Sequence, residues 1–329
     1  MQLRSFNDDS TPVSEVGLGC WQLGGSDWGD VSEEDALDTL RASAESGVTF
    51  LDTAEVYGLG RSEKLIEKFL REAGRERFFV ATKVGRFPKP GGVANFTPEI
   101  IRAHTEASLK RLGIECLDLT QLHCVPIAVL QREDIWDAFR ALKQEGKIRR
   151  FGASVESVAE ARECLKQPGF SSLQLIFNVF RQTPAIELFD QCLSQRVAVI
   201  VRLPLASGLL AGKYTASTTF PPRDHRTYNR NGEKFNVGET FAGLGLEKGV
   251  ELAEKLRPLV PAGYSMSQMA LRWCLDHPAV TAIIPGARNR AQAQANAAVS
   301  DLPRLPPELH ARLREFFLGE VKPHVRGPD

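Results

Sequence analysis

Short apolar runs recur along the chain and alternate with longer segments of helical period. The runs are 15–21 (EVGLGCW), 47–53 (GVTFLDT), 78–84 (FFVATKV), 116–123 (CLDLTQLH), 148–154 (IRRFGAS), 172–178 (SLQLIFN), 197–205 (VAVIVRLPL) and 280–286 (VTAIIPG). Most are rich in β-branched or aromatic residues and hydrophobic on both faces, the pattern of parallel strands covered by helices. Between them, 32–47, 62–74, 97–113 and 133–146 carry helix start and stop signals: Ser or Thr caps, early acids, Pro98 at a first helical position and terminal glycines. Further periodic segments cover 156–166, 185–195, 247–259, 266–276 and 288–298.

Eight strands alternating with at least eight helices predict either a (β/α)8 TIM barrel or a doubly wound sheet. The sheet alternative expects G-x-G-x-x-G after a strand, and neither GLGCWQLGG nor GLGRSEK has its third glycine in place. No Pro/Gly/Ser tract divides the chain, so residues 1–329 read as one α/β barrel domain. One stretch breaks the rhythm. Residues 205–246, after the seventh strand, are long, polar and rich in Gly and Pro, which predicts a functional lid or disorder, with phosphate binding as the natural use of that place in a barrel.

Composition narrows the function. Among 329 residues, 41 Lys and Arg balance 41 Asp and Glu, so no polyanionic partner such as nucleic acid is implied. No stretch has the roughly 18 apolar residues of a membrane span, and the N-terminus lacks a signal-peptide core. The six cysteines show no metal-ligand spacing and read as reduced, mostly buried thiols of a cytoplasmic protein.

In a barrel the C-terminal strand ends surround the active site. Here those ends carry Trp21, Asp52, Lys83, His123, Ser154, Asn178 and Arg202, with Tyr57 just beyond the second strand. Singly, each has a structural reading: a bonded core histidine, a salt-bridged lysine, an aspartate capping a turn. Together, Asp, Lys, His and Tyr make a proton-transfer set. Lys83 beside Tyr57 favours the phenolate and lowers the phenol pKa from about 10, Asp52 holds the ammonium, and His123 orients a carbonyl oxygen or shares the proton.

LDTAEVYG, ATKVG and LDLTQLH resemble the catalytic tetrad of the aldo-keto reductases. The resemblance extends to GLGCWQLGG, GAS, LPLASGLLAGKY and IPGARNRAQAQAN, and so covers nearly the whole chain. It implies an NADPH-dependent reductase of small-molecule aldehydes or ketones, of bacterial type, without a metal, in which Asp52, Tyr57, Lys83 and His123 are catalytic. It also implies that Trp21, Asp52 and Arg202 border the cofactor and that Ser154 and Gln174 hold its carboxamide. Leu205, Ser207, Gly208 and Lys213 would cover the pyrophosphate, while Gly286, Arg288, Gln292 and Asn296 would hold the adenosine phosphate end of NADP(H). The bottom-up reading agrees on Arg288, placed where a helix opens. A second implication is a binding role, since one branch of the family comprises NADPH-binding β-subunits of potassium channels.

Three positions depart from the family pattern. Val155 follows GAS where an amide or basic residue is common, and Cys124 follows His123 as a small thiol in the pocket wall. Arg202 stands where many members have an aromatic ring. It is expected to stack on nicotinamide, to meet a substrate carboxylate, or to pair with Glu233 or Glu239. Trp21, Trp28, Tyr57, Phe87 and the 220–240 loop are the expected pocket walls.

Overall fold

The computed structural model describes residues 1–6 and 11–328. A hairpin, β1 (Leu3–Phe6) and β2 (Thr11–Ser14), precedes eight parallel strands. These are β3 (Leu18–Gly19), β4 (Phe50–Asp52), β5 (Phe79–Val84), β6 (Leu119–His123), β7 (Phe151–Ser154), β8 (Ser172–Ile176), β9 (Ala198–Arg202) and β10 (Val280–Ile283). Each pairs with its neighbours in sequence, and parallel bridges Val16–Ile283 and Gly19–Gly286 join first to last. The Gly17 amide donates to the Ile283 carbonyl at 2.8 Å across this seam. The fold is a (β/α)8 barrel.

Alternation along each strand divides the residues by face. Leu51, Val80, Leu122, Leu173, Val199 and Val201 point outward into the core shared with the helices. Phe50, Phe79, Ala81, Leu119, Ala198, Ile200, Ala282 and Ile284 cluster instead with Phe6 and Val13 of the hairpin. The hairpin thus closes the N-terminal end of the barrel with an apolar floor. Two residues further along the strands the inward positions turn polar: Asp52, Lys83, Gln121, His123, Ser154, Gln174 and Arg202, all buried. One period of two therefore builds both floor and site.

The paired strands are shorter than the apolar runs that predict them. The run 15–21 pairs in the named strand only at Leu18–Gly19, and Trp21 opens the short helix Trp21–Gly24. The run 197–205 stops at Arg202 because Leu203 adopts φ 52 and Pro204 follows. Helix signals place termini more closely. Ser32 accepts from Asp35 N at 3.0 Å to cap Glu33–Glu45, and Thr97 caps Pro98–Leu112, which ends at Gly113 with φ 63. The segment 185–195 breaks at Leu188 into Thr183–Glu187 and Phe189–Ser194. The segment 288–298 becomes Arg290–Ala297 capped by Asn289, so Arg288 lies before the helix rather than opening it. The hairpin and the helix Pro307–Phe316 are additional elements. No helix among the described residues is long and apolar enough to cross a membrane.

The 205–246 stretch is ordered. It holds the short helical pieces Ala206–Ala211, His225–Tyr228, Val237–Glu239 and Phe241–Gly243. Asp224, His225, Asn229 and Thr240 are wholly buried, and Asn229 Nδ2 donates to Thr240 Oγ1 at 3.1 Å. Leu209, Leu210, Phe241 and Leu244 anchor the stretch to the main apolar core beside these buried polar groups.

Candidate functional site

A cavity of about 950 Å³ opens at the C-terminal mouth of the barrel, within the size range of ligand sites. All the residues singled out by the resemblance line it except Lys83, which sits behind Asp52 and Tyr57 at 1% exposure. Strands deliver Asp52, His123, Ser154, Gln174 and Arg202, and the segments just beyond β3 and β4 deliver Trp21 and Tyr57. The stretch after β9 and the segment after β10 supply the others.

Four side chains converge at the base. Lys83 Nζ donates to Asp52 Oδ1 at 2.5 Å, to the Thr53 carbonyl at 2.9 Å and to Tyr57 Oη at 3.3 Å. Asp52 is further fixed through Oδ2, which accepts from Gln174 Nε2 at 2.8 Å and from Gln121 Nε2 at 3.5 Å. The Tyr57 ring lies nearly parallel to Trp21, with centroids 5.9 Å apart, and edge-on to His123 at the same spacing. Two glycines let this tyrosine approach. Gly58 has φ 59, and a Cβ there would lie 1.6 Å from the Gly24 carbonyl; one on Gly24 would lie 2.7 Å from the Tyr57 backbone.

The electrostatics differ from expectation at Tyr57. Burial is the largest influence and pushes its pKa up to about 12, although the charge and hydrogen bond of Lys83 act the other way. Desolvation of the phenolate outweighs the nearby ammonium, so the hydroxyl stays protonated instead of approaching neutral pH. Burial also works against the charge of Lys83, but Asp52 and Tyr57 prevail and hold its pKa above the ordinary value. His123 is pushed well below its ordinary range by burial, then by the charges of Arg86, Lys83 and Arg202, and its Nδ1 has no partner among the described residues. The base therefore presents a neutral phenol and a neutral imidazole beside a buried Lys–Asp pair.

Arg202 shows the ion-pair alternative. Its Nη1 meets Glu239 Oε1, and its Nη2 donates to the Val155 carbonyl at 3.0 Å and to Cys124 Sγ at 3.7 Å. The partner is Glu239, not Glu233, and the pair is buried, with side chains 10% and 9% exposed. Val155 contributes its backbone oxygen where a longer side chain is common. Cys124 is within 3.5 Å of Ser154 Oγ, and burial raises its thiol pKa, so it is not an activated thiolate.

The other end of the cavity suits a phosphorylated ligand. Arg288 and Lys213 are exposed lining cations with no acidic partner among the described residues, whereas neighbouring Arg290 is held by Asp38 and Glu45. Gln292 Oε1 accepts from Arg288 N at 2.9 Å, and Asn296 Nδ2 donates to the Gly286 carbonyl at 3.2 Å, ordering the turn between β10 and the following helix. Ala206, Ser207 and Gly208 all have positive φ, which bends the chain beside Leu205 into the cavity wall. The Ser207 hydroxyl is already engaged, donating to the Glu239 carbonyl at 2.9 Å and accepting from Phe241 N at 3.1 Å, and its carbonyl accepts from Tyr214 Oη at 3.4 Å. Ser154 Oγ and Gln174 Oε1 stand 3.5 Å apart at the neutral polar end. Unpaired cations at one end and amide and hydroxyl groups at the other fit a nicotinamide dinucleotide.

Two expected residues lie elsewhere. Phe87 does not line the cavity; it packs on His104 and under Arg111. Asn178 holds a turn, donating to the Leu203 carbonyl at 3.0 Å and accepting from Phe180 N at 2.9 Å. Trp28 does line the cavity, edge-on to Trp21 at 5.5 Å, and Tyr228 and Phe235 add the walls expected of the 220–240 loop. Gln121, Glu55 and Arg86 also belong to the site or its support, beyond the residues expected from the sequence. Gln121 carried a signal, an isolated polar residue two before His123 and hence on the same inward face. Glu55, inside LDTAEVYG and 1% exposed, had none beyond its motif.

A model of the aldo/keto reductase family matches residues 15–317. The chain is 30% identical to the NADH-specific methylglyoxal reductase of Escherichia coli K12, over 88% of this chain and 90% of that protein. It is 30% identical to the NADP(+) aldo-keto reductase yakc of Schizosaccharomyces pombe, over 87% of this chain and 82% of that protein. Among solved structures, the holo form of aldo-keto reductase AKR11C1 from Bacillus halodurans superposes with a TM-score of 0.78 at 27% identity, covering 96% of both chains.

Proposed function

Since this chain belongs to the aldo/keto reductase family, we propose that it is an NADPH-dependent reductase of small aldehydes or ketones in which Tyr57 donates the proton. The observation that carries this reading is the Tyr57 hydroxyl, bonded at 3.3 Å to an ammonium that Asp52 holds from behind, at the base of a large cavity. When bound, the reduced nicotinamide supplies hydride to the carbonyl carbon. Tyr57 gives its hydroxyl proton to the carbonyl oxygen, and Lys83 stabilises the phenolate left behind. Asp52, fixed by Gln174, keeps that ammonium in place. Neutral His123 orients the oxygen through a ring nitrogen, and Trp21 and Trp28 exclude water from one side.

Gln174 and Ser154 would hold the carboxamide, the turn from Leu205 to Gly208 with Lys213 would cover the pyrophosphate, and Arg288 with Gln292 and Asn296 would take the adenosine end. NADPH oxidation at 340 nm with 4-nitrobenzaldehyde, methylglyoxal and simple ketones tests the activity. Turnover of at least one supports it. A protein that binds NADPH tightly and reduces none is a binding protein instead.

The preference for NADPH rests on Arg288, whose guanidinium has no competing carboxylate among the described residues. Arg288→Ala should weaken NADPH about ten- to a hundredfold and NADH little, because a charged hydrogen bond to the 2′-phosphate contributes about 1.5–3 kcal/mol. Fluorescence titration with both cofactors reads this. Equal losses for the two would remove Arg288 from 2′-phosphate recognition.

A further inference from the structure

The turn after β5 is fixed with unusual completeness for a loop that faces a cavity. Buried Glu55 Oε1 accepts from Gly85 N at 2.7 Å, Arg86 N at 3.1 Å and Phe87 N at 3.2 Å, and it also meets His104 Nδ1 at 3.0 Å. From the other side Asn95 Nδ2 donates to the Gly85 carbonyl at 3.0 Å and the Phe87 carbonyl at 2.7 Å. Apart from the His104 contact, every bond fixes backbone. The Arg86 side chain, half-buried and lining the cavity, has no hydrogen-bond or ion-pair partner among the described residues.

Other cations around the cavity are accounted for differently. Lys83 is held by Asp52, Arg202 by Glu239, and Arg226 by Asp224. Arg288 and Lys213 belong to the far, phosphate-suited end, and Lys234 stands on the exposed rim. Arg86 is on the side of His123, close enough for its charge to help keep that imidazole neutral, and Glu156 senses it without a hydrogen bond. A guanidinium on an immobilised turn, facing the cavity unpaired, is pre-organised for a planar anion.

We propose that Arg86 forms a carboxylate subsite, so that the preferred substrates are carbonyl compounds carrying a carboxylate. Arg202, for which a substrate carboxylate was one of three expected partners, is already neutralised by Glu239. The inference rests on the reading of the chain as a carbonyl reductase. The fork of Arg86 receives the carboxylate while the aldehyde or ketone points at Tyr57 and His123, and Trp21, Trp28 and Phe235 pack on the apolar body between.

The test compares 4-carboxybenzaldehyde and 4-oxobutanoate with their methyl esters in wild type, Arg86→Leu and Arg86→Lys. The acid-to-ester ratio of kcat/KM should exceed one in wild type and fall at least tenfold in Arg86→Leu, through KM rather than kcat, with partial retention in Arg86→Lys. A wild-type ratio at or below one, or a ratio unchanged in Arg86→Leu, overturns the subsite. Quenching of tryptophan fluorescence in the NADP+-loaded protein, which has no hydride to give, measures binding of the same acid and ester without turnover. If no carbonyl is reduced, the reductase reading fails. Selective loss of acid binding in Arg86→Leu would still support the anion site, and equal acid and ester binding in wild type would still sink it.

Discussion

Tyr57→Phe is expected to abolish carbonyl reduction by at least about a hundredfold while leaving the fold and NADPH affinity intact. The substitution removes one oxygen from a ring otherwise held by Trp21 and by the glycine contact at Gly24 and Gly58, so the packing survives. The Lys83 ammonium keeps Asp52 and the Thr53 carbonyl as partners, and no buried charge is stranded. Lys83→Met should be similarly inactive, because the departing proton then leaves a phenolate with no counter-charge. It should also be less stable, since Asp52 is left buried opposite a thioether. The pH profile adds a check. A tyrosine pushed up to about 12 remains protonated, and a histidine held well below its ordinary range remains neutral, throughout about pH 6–9. The kcat/KM for reduction should therefore be flat across that window, with the loss at higher pH as Tyr57 ionises. A kcat for Tyr57→Phe within a few-fold of wild type, or a steep ionisation near pH 7, would remove Tyr57 as the proton donor.

The second large effect is on stability. Arg202→Leu leaves Glu239 with a buried carboxylate and no cation, and Glu239→Leu leaves Arg202 charged with only Cys124 and the Val155 carbonyl as partners. Each single change should lower unfolding free energy by about 3 kcal/mol, the lower end for breaking a buried pair, because both side chains retain slight contact with the cavity. The double variant Arg202→Leu with Glu239→Leu should recover most of the loss, since no charge is then stranded. Urea unfolding with unchanged m-values measures this. Additive losses in the double variant would mean that the pair is not coupled. The same proteins report on the cofactor. If NADPH affinity survives Arg202→Tyr but not Arg202→Leu, the guanidinium also stacks on the nicotinamide.

The barrel and the inward strand ends could be read from periodicity, because a run apolar on both faces that turns polar at its last inward position has few other uses. Asp52, Lys83, His123, Ser154 and Arg202 were legible for that reason, whereas Gln174 came from the family resemblance alone. Lengths were less so: the run 15–21 looks like a strand by composition, yet only two residues pair within the named strand before the chain turns at Trp21. Partners across the molecule were not legible at all. Nothing local says that Arg202 chooses Glu239 over Glu233, or that Glu55 clamps a turn thirty residues away, since both depend on how a long connection folds back. The phenol pKa shows the same limit. Proximity to Lys83 gives the sign of one contribution, but the desolvation that opposes it depends on walls drawn from five or six separate segments.

The alternating strands also separate two kinds of evolutionary change. The lower inward layer, with Phe50, Phe79 and Ile200 sealed by the hairpin, bears on whether the barrel closes. The rim above bears on what enters. A descendant of this chain can therefore acquire a new appetite by altering residues 86, 124, 228 or 235 without renegotiating the floor beneath. An altered floor residue leaves the appetite unchanged and is tolerated only while the barrel still closes. Divergence in this lineage should accordingly be steep at the rim and shallow only a few ångströms below it.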